Sequence, residues 1–272
     1  MTNSLTSLGT WANAPLALVV AQVCYTPTPE TDFRIVANLI KEALGNRFSM
    51  DNNVEQLAFV LGADGAPSIT NEPTCVGVDL ISEDARTCLR INNGAITFNT
   101  SDYRGWEEFI AEWEAMLTVL NATGPITATR IGLRYLDFIL PSAGRKPEEY
   151  VIDGIGKSPA SLGQAPISVS LYEYERASDG RLRVQYSRGF GPPMTPPDLQ
   201  GTAAPYPGLM ARYQGAESAI LDMDRYAMLN KGMTASELAI EFSKLHTDLS
   251  ESFQHIISPL ALVEWRDETK EG

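Results

Sequence analysis

Apolar positions along this chain switch repeatedly between the two-residue period of strands and the three-to-four-residue period of helices. Residues 14–25 are almost continuously apolar and predict a buried strand, stopped by Pro27 and Pro29. Thr31 or Asp32 caps the helix that follows, with Phe33, Val36, Leu39, Ile40 and Leu44 on one stripe and Gly45 at its exit. Four short strands are predicted next, at 54–61, 74–81, 86–91 and 95–99, with Asn93-Gly94 as a hairpin turn. Ser101 or Asp102 opens a second helix whose apolar stripe is Trp106, Phe109, Ile110, Trp113, Leu117 and Leu120.

The order then recurs loosely. Residues 129–141 form a central strand in which Ile131, Leu133 and Tyr135 face one way and Arg130, Gly132 and Arg134 the other. A short helical piece at 147–152 and strands at 165–174, 181–187 and 219–226 follow, with Ser178-Asp179-Gly180 as a turn. Thr234 and Glu237 form a capping box for a long closing helix, and Pro259 ends or kinks it. The fold class read from this pattern is α+β. Two related halves, 1–123 and 124–272, each run strand, helix or loop, antiparallel meander, long helix, and together make one compact unit. Residues 187–215 hold six prolines and read as a partly ordered flap or an exposed insertion.

Composition narrows the function. The net charge is −13, concentrated in the first half, whereas residues 130–212 carry 10 basic and 8 acidic side chains. An acidic whole argues against nucleic acid and anionic membranes as partners and leaves room for a local anion site in the middle. Residues 1–13 lack the basic start of a secretory signal, and the apolar run after them is too short to span a bilayer. Cys24, Cys75 and Cys88 are odd in number and show no metal-ligand spacing, which suits a reducing cytoplasm. His246 and His255 are nine residues apart on one helix, so they face nearly opposite ways and share no site. No cofactor is expected. Gly154-Ile155-Gly156-Lys157-Ser158 ends like a phosphate loop but has Val151 where the first glycine belongs.

Two constellations remain. Arg130 and Arg134 flank Gly132 on one strand face, where they suit a carboxylate or phosphate, or else pair with internal acids. Asp222 and Asp224 share a face and have the spacing to hold a divalent ion, or else form a solvated or salt-bridged strand face.

The run Arg130-Ile131-Gly132-Leu133-Arg134-Tyr135 resembles the hallmark of a sporadically distributed prokaryotic family of conserved hypothetical proteins. Ala14-Pro15-Leu16, Leu221-Asp222-Met223-Asp224, Leu245-His246 and Phe253 are similar as well, so the resemblance touches both ends and the middle. Leu136-Asp137 stands where that family has a more polar continuation. The resemblance implies no activity, cofactor or catalytic residue. The function expected is that of a binding or interaction protein, an adaptor or regulator, with a small anionic ligand or a partner protein at Arg130, Gly132 and Arg134. The alternatives are a metal-dependent hydrolase using Asp222 and Asp224, and a self-associating structural protein.

Overall fold

The structure, a computed structural model, describes residues 11, 13–56, 59–61, 67–69, 74–124, 126–163, 165–176, 180–199, 203, 207–213, 215 and 217–266. The described strands are β1 (Leu16–Tyr25), β2 (Met50–Gln56), β3 (Phe59–Leu61), β4 (Pro67–Ile69), β5 (Thr74–Ile81), β6 (Thr87–Asn92), β7 (Ala95–Thr100), β8 (Ile126–Ile139), β9 (Ser168–Arg176), β10 (Gly180–Phe190) and β11 (Glu217–Met233). Nine of them form one antiparallel sheet in the order β2-β5-β6-β7-β1-β8-β11-β10-β9, and β3 and β4 form a small ribbon of their own. The helices are α1 (Phe33–Leu44), α2 (Trp106–Ala122), the one-turn α3 (Asp153–Gly156) and α4 (Pro207–Met210), α5 (Ala235–Ile256) and α6 (Pro259–Arg266). The architecture is α+β, and the sheet runs without a break from residues of the first half to residues of the second.

The long helices lie on one face of the sheet because both partners offer an apolar stripe. Val19, Ala21 and Val23 of β1, Ile131 and Leu133 of β8, and Leu221 and Met223 of β11 form one buried cluster with helical side chains. Val36 and Ile40 of α1, Trp113 and Leu117 of α2, and Leu238, Phe242 and Leu249 of α5 complete it. Each such side chain stabilises the fold by about 1.5–3 kcal/mol on burial, so this layer dominates the energetics. Trp113 meets Phe242 edge-on at 5.8 Å, tying α2 to α5. On the opposite face the sheet carries a smaller apolar cluster, in which Leu18, Val20, Cys88, Leu136 and Phe138 sit under Leu199, Ala203 and Leu209 of the proline-rich segment.

Two of the three expected caps hold; the third does not, since α2 starts at Trp106 after Gly105, with no side-chain cap, rather than at Ser101 or Asp102. The Asp32 carboxylate accepts from the Arg34 N–H at 2.9 Å, and the Glu237 carboxylate accepts from the Thr234 N–H at 2.8 Å. Boundaries moved in several places, among them β8, which spans Ile126–Ile139, and β11, which spans Glu217–Met233. The strand expected at 54–61 is instead the tail of β2 and the separate β3, because β2 is an exposed edge strand with no apolar alternation to mark its span. Strand β10 continues to Phe190, so the long segment begins after it. Residues 165–167 precede β9 rather than belonging to it. Pro259 does not kink a helix; α5 ends at Ile256 and Pro259 starts α6, the position where its missing N–H costs nothing. The expected turn at Ser178 and Asp179 lies outside the described residues.

Candidate functional site

The face of the sheet away from the long helices is built from the other half of each strand's alternation. On β8 it presents Arg130, Gly132 and Arg134, as the two-residue period requires. In register beside them, β1 presents Gln22 opposite Gly132 and Val20 opposite Arg134. On the other side β11 places Asp224 opposite Arg134 and Tyr226 opposite Gly132. Strands β6 and β7 add Arg90, Asn92, Thr97 and Asn99. All of these but Tyr226, with Asp198 and Leu199 of the proline-rich segment, line an open cleft of about 370 Å³.

The two arginines behave differently. Arg134 donates to both oxygens of Asp222, from Nε at 2.7 Å and from Nη2 at 2.6 Å. Its remaining Nη1 donates to the Asp198 carboxylate. Burial opposes the charge on Arg134, but the two carboxylates outweigh it and hold the guanidinium more firmly protonated than usual. Asp198 is likewise held below the usual carboxylate range, burial working against its charge and the bond from Arg134 prevailing. Arg130 is held more loosely. Its Nη1 donates to the Gln22 side-chain oxygen at 2.8 Å, Asp224 lies 3.5 Å from its Nη2, and its guanidinium stacks 4.6 Å from the centre of the Tyr226 ring. Burial raises the Asp224 carboxyl above its ordinary value, against the pull of Arg130 and Arg134.

Gly132 proves to serve Arg130. A methyl group at Gly132 would meet the Arg130 guanidinium at 3.2–3.5 Å, so the space beside the glycine backbone is where that guanidinium folds back along its own strand. The acids that pair with the arginines lie on the neighbouring strand of the same sheet: Asp222 is diagonal to Arg134, and Asp224, opposite Arg134, is four residues along β11 from Met228, which faces Arg130.

Several residues of the cleft were not singled out from the sequence. Arg90 forms a two-pronged pair with Asp79, both bonds at 2.7 Å. Asn99 is fully buried; its side-chain oxygen accepts from the Ala203 N–H at 2.8 Å, which leaves its amide N–H for the Cys88 thiol opposite it on β6. The signal for them was parity. Arg90 and Asn92, Thr97 and Asn99, and Gln22 in an otherwise apolar run are the polar positions of alternating strands. It takes the strand order to show that they meet Arg130 and Arg134.

On the helix side, Tyr135 and His246 meet within the core. Tyr135 donates to or accepts from His246 Nδ1 at 2.7 Å, and the imidazole stacks on Trp106 at 4.2 Å with the rings 3° from parallel. Burial pushes His246 down to about 4, so it is a neutral packing group at neutral pH. His255 faces outward and bonds only the Glu251 carbonyl oxygen. Asp137 is 2% exposed and its Oδ2 has no partner among the described residues; burial pushes its carboxyl up to about 8, with the charge of Asp222 adding to the rise. Cys24, Cys75 and Cys88 are free thiols. Among the described residues no three His, Cys, Asp or Glu side chains gather as a metal site, and no helix is long and apolar enough to cross a membrane.

No known family model matches the chain, and no curated protein does. Among solved structures, the di-domain ARO/CYC StfQ from the steffimycin biosynthetic pathway aligns over 87% of this chain and 97% of its own, at 10% identity and a TM-score of 0.15, which is too low to bear on the fold or the site.

Proposed function

We propose that the protein is a binding protein, and that its ligand is a small anion-bearing molecule seated in the cleft around Arg130 and Arg134. The observation that carries this reading is the cleft itself: about 370 Å³ on the open face of the sheet, lined by three arginines against two aspartates, with four uncharged polar side chains beside them. The geometry supports binding over catalysis, because among the described residues of the cleft no nucleophile stands beside a base and both histidines lie elsewhere. A panel of small anions, among them dicarboxylates, inorganic phosphate and nucleotides, should give a saturable rise in melting temperature that Arg130→Gln removes. A flat response across the panel, confirmed by calorimetry, would sink the reading.

A metal-assisted hydrolase on Asp222 and Asp224 gains less support, since a divalent ion would first have to displace Arg134 from Asp222. Titration with magnesium or manganese followed by melting tests it directly. Self-association has one observation in its favour. Strand β9 is an edge strand, and Val169 and Leu171 on its open face are 65% and 53% exposed. Light scattering at rising concentration decides that point. Duplication of an ancestral half is supported by strand order. Reading outward from the β1–β8 pair gives β7, β6, β5 on one side and β11, β10, β9 on the other, each run in reversed chain order.

A further inference from the structure

The cleft contains a contact that competes with the ligand it would take. Arg134 has three groups able to donate outward; two are spent on Asp222 of the next strand, and the third, Nη1, holds Asp198. The two carboxylates are unlike. Asp222 is buried on a paired strand of the sheet, whereas the Asp198 side chain is 62% exposed and comes from a single 3-10 turn, Pro197–Leu199, in the proline-rich segment. That turn is pinned by Leu199, which packs into the small apolar cluster, and the Ala203 N–H is held by Asn99. Asp198 therefore lies across the mouth of the cleft, bonded at the position an external oxyanion would occupy.

The surroundings of this position are those of an anion subsite. Along one row of the sheet, Asn99, Val20, Arg134, Asp224 and Arg183 stand on successive strands. Asp224 thus has a guanidinium on each side, and the extra carboxylate that Asp198 brings is the one that a ligand can replace.

We propose that Asp198 is a built-in stand-in for the ligand's oxyanion, and that a compact carboxylate or phosphate binds by displacing it from Arg134. This rests on the cleft being the binding site, and it adds which atom of the cleft takes the charge and what must leave. The displaced carboxylate is exposed, so it moves into water without needing a new partner.

The test is calorimetry at low ionic strength with sodium succinate and inorganic phosphate as probes, on the wild-type chain, Asp198→Asn and Glu175→Gln. The Asp198 variant should bind one of the probes roughly three- to fivefold more tightly than wild type, the factor that an exposed ion pair can withhold. The Glu175 variant removes the same charge from an exposed position on β9 and should stay within about twofold of wild type. Which probe responds distinguishes a carboxylate ligand from a phosphoryl one. Binding that is equal in wild type and Asp198→Asn overturns the stand-in while leaving the cleft as the site. Tightening by both variants alike reduces the effect to net charge and also overturns it. If neither probe binds Asp198→Asn, with Arg134 then open to them, the subsite itself is refuted. Asp198 is an exposed loop residue, so the variant folds whatever the outcome.

Discussion

Arg134 and Asp222 are the residues on which the open face of the sheet depends. Both are largely buried and each satisfies the other, so removing one strands a charge that burial makes costly. Arg134→Ala should destabilise the fold by about 3–5 kcal/mol in urea unfolding, and pairing it with Asp222→Asn should recover a good part of that loss. Additive losses would mean that the two side chains are energetically independent. Asp137 gives a prediction in pH. In the unfolded chain its carboxyl ionises near 3.8, and in the fold near 8, so across that window the fold keeps a proton that the unfolded chain has lost. Stability is thus fully present below the lower value and is lost as pH rises through the upper one. Asp137→Asn should change the melting temperature little at about pH 4 and raise it at about pH 8. Neither behaviour was legible from residue types alone. Asp137 looked like one more polar position on a strand, and only the bulge in its pairing with β1 and the helices above it reveal how deeply it is buried.

At the scale of elements, the long helices were readable because each is amphipathic and capped, and the inner strands because their apolar positions alternate. Edge strands were read least well. Strand β2 is polar on both faces and carries no periodic signal, so its start at Met50 was invisible. The contact of α5 with α2 shows what the helical stripes could not. His246 falls near the edge of the apolar stripe of α5, and only the crossing of the helices lays it on Trp106 with Tyr135 beneath. Its ordinary value of 6.5 is lowered to about 4 in the fold. The unfolded chain therefore takes up a proton first as pH falls, and stability declines between those two values. His246→Phe, which keeps the stacking and discards the titration, should flatten that decline by on the order of 2 kcal/mol between about pH 6.5 and pH 4. Denaturant melts at a series of pH values measure it, and an unchanged slope would remove His246 as the cause.

For the whole molecule, the consequential fact is that the sheet is continuous across the boundary at 123/124. Strands β1 and β8 pair along most of their length, and one apolar cluster takes side chains from α1, α2 and α5 together. Either half alone would expose a long central strand edge and half a core. Fragments 1–123 and 124–272 should each lack cooperative unfolding when expressed singly, and should regain it when co-expressed. Circular dichroism during thermal melting is the readout. A cooperative transition in one isolated fragment would show that the halves are independent domains.

The periods of the chain determined by themselves that this protein is α+β, where its helices lie, and that Arg130, Gly132 and Arg134 share a face. Those properties depend on residues two to four positions apart, within the reach of local backbone geometry. The tertiary structure decided what the face is made of. Gln22, Arg90, Asn99, Asp198 and Asp224 come from five separated stretches and meet only because the strand order sets β6, β7, β1, β8 and β11 side by side under the proline-rich segment. Long-range pairing has no local period to announce it. The same strand order turned a pair of arginines that looked open to a ligand into one guanidinium folded over its own glycine and another already holding two carboxylates.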